Sequence, residues 1–131
     1  MNPSDLRTVL YVDDEPDIRE VVLMSLALAD ALAIHSCESG EQALRMLPQL
    51  KPDLVLLDVM MPGTDGPSTL KQMRADPALA RIPVIFMTAK AMPQEVARFR
   101  ELGAVAVIAK PFDPMQLAKQ VFAIWEGIGN G

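Results

Sequence analysis

Several polar residues that can bind a cation or a phosphate follow directly after apolar runs of the sequence. They are Asp13, Asp14, Asp58, Thr88 and Lys110. Three carboxylates in one place repel one another unless a cation joins them, and oxygen ligands without histidine or cysteine favour Mg²⁺ over Ca²⁺ and softer metals. A lysine ammonium and a threonine hydroxyl suit two oxygens of a phosphoryl group. If these residues meet, they predict phosphoryl transfer with Asp58 as the nucleophile.

Five short apolar runs have the composition of β-strands, and segments with helical apolar spacing lie between them. The predicted strands are 8–12, 32–36, 53–58, 82–87 and 104–109. Four consecutive aliphatic residues at 54–57 are typical of an interior parallel strand that is covered on both faces. Asp14, Ser39 and Asp113 are predicted to cap helices. The alternation predicts an α/β fold, a parallel sheet wrapped on both faces by five helices.

This fold would bring the polar residues together, because the carboxyl ends of parallel strands lie along one edge of the sheet. Each residue also has an ordinary interpretation as a helix cap, a turn former, a strand end or a solvated lysine. Several such coincidences at one edge are less expected than a built site. We therefore predict a functional site there.

Composition predicts a single domain over residues 1–131, with a core from about 7 to 126. The formal net charge of −5 argues against direct binding to nucleic acid or to an anionic membrane. One cysteine, Cys37, allows no internal disulfide, and no apolar run approaches the length of a membrane span. These features predict a cytoplasmic protein.

The polar residues also lie in segments that resemble the signatures of response-regulator receiver domains. The segments are 12–16, 58–66, 88–89 and 110–112, and the likeness runs in order from about Thr8 to Trp125. The resemblance implies a flavodoxin-like, doubly wound sheet with strand order 2-1-3-4-5. It implies that Asp58 accepts a phosphoryl group from a sensor histidine kinase or a histidine phosphotransfer protein, assisted by Thr88 and Lys110. It further implies a cis peptide bond between Lys110 and Pro111.

The resemblance also implies a ligand set for Mg²⁺. Asp14, Asp58 and the backbone carbonyl of Met60 would hold the ion, and Asp13 would help directly or through water. The sequence departs from the family at Val107, where receiver domains usually carry an aromatic residue that moves on activation. The threonine that works with this aromatic residue in the family is present, at Thr88. Output through the fourth helix, fifth strand and fifth helix is therefore still expected, but the absence of the aromatic residue weakens that expectation.

The function implied is a signalling switch that catalyses only its own phosphorylation and dephosphorylation. Its partner would be a downstream output protein, or an effector domain that this chain does not contain. A phosphorylation-independent interaction module with the same fold is the alternative. An aspartate-nucleophile phosphatase of the haloacid-dehalogenase kind is disfavoured, because such an enzyme needs a second acid two residues after the nucleophile and Met60 stands there.

Overall fold

The computed structural model describes residues 5–29, 32–61, 63 and 65–128. The strands are β1 Thr8–Val12, β2 Ala33–Cys37, β3 Leu54–Asp58, β4 Val84–Thr88 and β5 Ala106–Ala109. The helices are α1 Pro16–Leu26, α2 Gly40–Leu50, α3 Gly66–Ala75, α4 Pro93–Leu102 and α5 Leu117–Gly127. Pro62 and Thr64, in the receiver-like segment after β3, lie outside the described residues. Across the described ranges, no helix is both long enough and apolar enough to cross a membrane.

The five strands form one parallel sheet in the predicted order, β2-β1-β3-β4-β5. All five residues of the central strand β3 are buried, as its aliphatic run predicts. The register places Asp58 beside Met87 and Thr88 beside Ala109. The ends of β3, β4 and β5 therefore reach the same edge of the sheet, and this edge carries the candidate site.

Alternate residues of each strand supply two hydrophobic cores, one on each face of the sheet. On one face Leu57 and Phe86 pack with Phe99 of α4, and the two phenyl rings meet edge to face with centroids 5.0 Å apart. On the other face Tyr11 lies in a cluster that includes Trp125 of α5. Both layers of helices are thus anchored to the strands that carry the polar edge.

Two of the three predicted helix caps are wrong. Ser39 caps α2, and its side chain accepts a hydrogen bond from the Gln42 N–H at 3.1 Å. Asp14 does not cap α1, because the N-cap is Glu15 and no side-chain cap bond forms there. Asp113 does not cap α5, because its Oδ1 accepts from the Met115 N–H at 2.9 Å and the helix begins only at Leu117. Asp113 instead stabilises the turn before the helix, the other common use of aspartate.

Candidate cation and phosphoryl site

Three carboxylates meet at the carboxyl edge of the sheet, as the sequence predicted. Asp13, Asp14 and Asp58 each place one carboxylate oxygen within 4.8 Å of the others. Asp13 is fully buried, Asp58 is 4% exposed and Asp14 is half-buried. Asp13 and Asp14 follow β1, and Asp58 is the last residue of β3, so the cluster depends on the pairing of these two strands.

Lys110 brings a positive charge to the same place. Its Nζ donates to Asp13 Oδ2 at 3.0 Å and to Asp58 Oδ1 at 3.1 Å. The lysine side chain is 18% exposed, so both ion pairs are largely removed from solvent. The Lys110–Pro111 peptide bond is cis, as the resemblance implied. One ammonium therefore bridges two buried carboxylates that belong to different strands.

The charges in this cluster shift the pKa values of its members. Burial, followed by the charge of Asp13, raises the pKa of Asp58 to about 6, although Lys110 and a backbone hydrogen bond from Met60 oppose the shift. Burial alone would lower the pKa of Lys110, but its hydrogen bond to Asp13 and the charges of Asp13 and Asp58 outweigh burial and raise it. A single lysine thus leaves an excess of negative charge, which a divalent cation would neutralise.

A pH dependence of folding follows from the raised pKa of Asp58. The folded protein holds this proton more tightly than the unfolded chain, so ionising Asp58 costs stability as the pH rises from about 4 to about 6. We expect the unfolding free energy of the metal-free protein to fall by about 1–3 kcal/mol over that window, relative to Asp58→Asn. Urea unfolding of both proteins with a chelator at pH 4.5 and pH 7.5 measures the difference. If the difference in unfolding free energy between the parent and Asp58→Asn were the same at both pH values, the expectation would be contradicted.

The remaining predicted site residues are Thr88 and Met60, and Val107 is the position that departs from the family. Thr88, at the end of β4, is 3% exposed, and its Oγ1 accepts from the Lys90 N–H at 3.0 Å. Met60 lies two residues after Asp58, and the residue is 68% exposed. Val107 lies opposite Phe86 in the sheet and packs, half-buried, against the core on that face. The aromatic residue expected for the family at this position is thus replaced by a small aliphatic one.

Two side chains donate hydrogen bonds to Asp13 that were not predicted from the sequence. The hydroxyl of Tyr11 donates to Asp13 Oδ2 at 2.5 Å, and a guanidinium nitrogen of Arg19 donates to the Asp13 carbonyl at 2.7 Å. Burial, followed by the hydrogen bond to Asp13, raises the pKa of Tyr11 far above its ordinary value. A signal for the first contact exists in the sequence, because residues two apart on a strand share a face.

The donor set fits a hard divalent cation. Every ligand atom that the three clustered side chains offer is a carboxylate oxygen, which is the type that Mg²⁺ and Ca²⁺ prefer. With such a cation bound, the edge would offer a dianionic group positive charge from both the ion and the Lys110 ammonium. An oxygen nucleophile, a cation site and an ammonium are the parts that phosphoryl transfer requires.

Comparison with known proteins identifies one family. The family model described as "Response regulator receiver domain" matches residues 9–122. The chain is 36% identical over 125 residues to the phosphate regulon transcriptional regulatory protein PhoB of Pseudomonas aeruginosa, which covers 95% of the chain and 54% of that protein. It is 42% identical over 113 residues to a probable cyclic di-GMP phosphodiesterase of Vibrio cholerae, which covers 85% of the chain and 25% of that protein.

Among solved structures, the chemotaxis response regulator CheY4 of Vibrio cholerae superimposes with a TM-score of 0.84 at 27% sequence identity. That match covers 91% of this chain and 98% of the other. The chain thus spans nearly all of that solved chain. It spans about half or less of the length of the two curated relatives.

Proposed function

Since the chain belongs to the response regulator receiver domain family of two-component systems, we propose that it is a phosphorylation-controlled signalling switch. Asp58 is the phosphoacceptor, and the donor is a sensor histidine kinase or a histidine phosphotransfer protein. In the transfer, a carboxylate oxygen of Asp58 forms a bond to phosphorus while the donor's bond to phosphorus breaks. The leaving imidazole keeps the electron pair of that bond.

The observation that carries this proposal is the bridging of Asp13 and Asp58 by Lys110. The raised pKa of Asp58 shows that its negative charge is costly in this buried position. Lys110 partly neutralises that charge and holds Asp58 beside a second acid, Asp13. When a phosphoryl group is added to Asp58, the Lys110 ammonium is in reach of its oxygens. We assign Lys110 the role of stabilising negative charge on those oxygens.

Mg²⁺ is the proposed cofactor. Asp14 and Asp58 would hold it together with the backbone carbonyl of Met60, and Asp13 would contribute directly or through water. Bound there, the ion would neutralise charge on the phosphoryl oxygens and on the acidic cluster. The clustering of three carboxylates within 4.8 Å supports this assignment, because so much negative charge is costly without a cation.

Thr88 is the proposed switch residue. In the present structure its hydroxyl accepts a hydrogen bond from the backbone of Lys90. A phosphoryl group on Asp58 would offer new acceptor oxygens to the threonine O–H, and this gain would favour a different position of the loop that follows β4. Because Val107 replaces the usual aromatic residue, the shift would depend on Thr88 and the loop alone.

The output of the switch is a change in the binding surface of the domain. Relatives of this chain include a transcriptional regulator and a probable phosphodiesterase, and each is much longer than the matched part. An output protein or an effector domain would respond to the altered surface. That the domain itself contacts no nucleic acid and acts in the cytoplasm remains a prediction from its acidic composition and single cysteine.

The decisive experiment is intact-mass spectrometry after incubation with Mg²⁺ and acetyl phosphate, a small acyl phosphate. We expect the parent protein to gain one phosphoryl group and Asp58→Asn to gain none, because an amide cannot serve as the nucleophile. Asp76→Asn is the matched control, since this exposed aspartate lies at the end of α3 and outside the cluster. It should be phosphorylated like the parent.

Two outcomes would overturn the proposal. No mass gain in the parent would favour the second candidate, an interaction module that works without phosphorylation. Equal gains in the parent and in Asp58→Asn would place the phosphoryl group on another residue. Repeating the reaction with a chelator tests the cofactor separately, because the expected gain should then disappear.

A further inference from the structure

Tyr11 occupies a position that packing alone does not explain. It is the only tyrosine of the chain, and it is fully buried in the core between the sheet and helices α1 and α5. A leucine or phenylalanine would fill such a core position without bringing a hydroxyl that must be satisfied. The hydroxyl of Tyr11 reaches the edge of the sheet and donates to Asp13 Oδ2 at 2.5 Å.

The carboxylate of Asp13 is held from three directions. Oδ2 accepts from Tyr11 and from Lys110 Nζ, and Oδ1 accepts from the Glu15 N–H at 3.0 Å. Both oxygens of this fully buried carboxylate are therefore engaged before any cation arrives. Hydrogen bonds that fix a carboxylate in this way set its orientation toward a metal and are known to govern metal affinity.

The two donors to Oδ2 differ in what else they do. Lys110 also donates to Asp58, so both acids hold its ammonium in place. The phenol of Tyr11 is fixed by the packing of its ring in the core, and Asp13 is its acceptor. Of the two, Tyr11 is thus the anchor that defines where the Asp13 carboxylate lies, independently of the charge state of Asp58.

We propose that Tyr11 is a positioning residue for the cation site, which fixes the Asp13 carboxylate in the orientation that Mg²⁺ and Lys110 both require. This inference rests on the proposed function in that it takes Mg²⁺ as the bound cation. Tyr11 touches neither the cation nor the phosphoryl group. It acts through Asp13, and its effect is on the affinity of the site.

Tyr11→Phe tests the role of the hydroxyl, because phenylalanine keeps the ring and its packing. We expect the Mg²⁺ dissociation constant, measured by isothermal titration calorimetry, to rise about tenfold. Ile85→Val is the matched control, since it removes one methylene from the same buried cluster and leaves the carboxylates untouched. It should lower stability and leave the Mg²⁺ affinity within about twofold of the parent.

A second measurement on the unaltered sequence does not depend on how the variant folds. Tyrosine labelled with ¹³C at the Cζ position gives one resonance, because the chain has one tyrosine. That resonance should shift on Mg²⁺ addition with the same midpoint as the calorimetric binding curve, because cation binding at the cluster alters the acceptor of the Tyr11 hydroxyl.

These measurements distinguish the positioning role of Tyr11 from the proposed function. Parent-like Mg²⁺ affinity in Tyr11→Phe, or a tyrosine resonance that stays fixed while Mg²⁺ saturates the parent, overturns the positioning role and leaves the proposed function intact. A parent protein that binds no Mg²⁺ and gains no phosphoryl group overturns the proposed function and this inference together. Weaker Mg²⁺ binding by Tyr11→Phe, together with parent-like Mg²⁺ binding by Ile85→Val, supports the positioning role.

Discussion

Lys110→Met is expected to slow phosphorylation of the protein by acetyl phosphate about 100- to 1000-fold, the usual cost of losing one charge-stabilising group in a transition state. Methionine keeps much of the length of the side chain and removes the ammonium that bridges Asp13 and Asp58. The rate of mass gain in the presence of Mg²⁺ measures the effect. Lys119→Met, an exposed lysine of α5, is the control and should react at the parent rate.

The same variant should also be less stable without Mg²⁺. Removing one partner from a buried ion pair leaves an uncompensated charge and costs about 3–5 kcal/mol. Here the lower end of that range applies, because Asp58, whose pKa is already raised, can take up a proton. Urea unfolding in the presence of a chelator measures the loss. Parent-like rates and stability in Lys110→Met would show that the bridge contributes to neither the chemistry nor the fold.

The location of the site could be predicted because it depends on strand order and strand ends. Apolar runs of four to six residues fixed the strand positions to within two residues at either end. In a parallel sheet, the residues that follow such runs must gather at one edge. Asp13, Asp58 and Lys110 are far apart in sequence, but each is placed by this one rule.

The hydrogen bonds within the site were harder to predict, since they depend on the direction of single side chains. Asp14 was expected to cap α1, but Glu15 takes the N-cap position and Asp14 joins the carboxylate cluster. A carboxylate that follows a strand and precedes a helix suits both roles, and only the local backbone decides between them. The hydroxyl of Tyr11 was missed because the strand pattern indicated an apolar position, although the two-residue spacing to Asp13 would have placed an acceptor on the same face.

Long-range contacts to backbone carbonyls left no trace in the sequence pattern. Arg74 of α3 donates to the carbonyls of Ala80, Ile82 and Gly103, which links the approach to β4 with the end of α4. Burial lowers the pKa of Arg74, a direction that agrees with a guanidinium partly withdrawn from solvent. Any carbonyl can accept such a bond, so composition and spacing cannot single out the three that do.

Gly66 is the second position where a small change is expected to have a large effect. It is the first residue of α3, and a Cβ placed on it would lie 2.5 Å from the carbonyl oxygen of Asp58 and 2.9 Å from the Cα of Val59. Both neighbours are backbone atoms, so no flexible side chain can move aside. Gly66 also donates its N–H to the Val59 carbonyl at 3.1 Å, which holds the two segments at this distance. Glycine is therefore required here for close approach.

Gly66→Ala should lower the unfolding free energy by about 2–3 kcal/mol, the usual cost of overpacking a site that cannot relax. Because the clash is with the backbone of Asp58, the proposed phosphoacceptor, it should also displace Asp58 and slow phosphorylation by about 100-fold, as misplacements of about 1 Å do. Urea unfolding and the rate of mass gain with acetyl phosphate measure the two effects. Part of the loss in phosphorylation rate will come from unfolded protein. If the loss exceeds what the unfolded fraction accounts for, the remainder is assigned to displacement of Asp58.

Gly127→Ala provides the matched control for this substitution. Gly127 is the last residue of α5, and among the described residues an added Cβ there meets no atom within 4 Å beyond its chain neighbours and its own helix backbone. Alanine should be neutral at that position or stabilise the helix by about 0.5–1 kcal/mol, with no change in phosphorylation. If Gly66→Ala behaved like this control, the contact between α3 and the end of β3 would have to be loose. The site would then owe its geometry to the strands and to Lys110 alone.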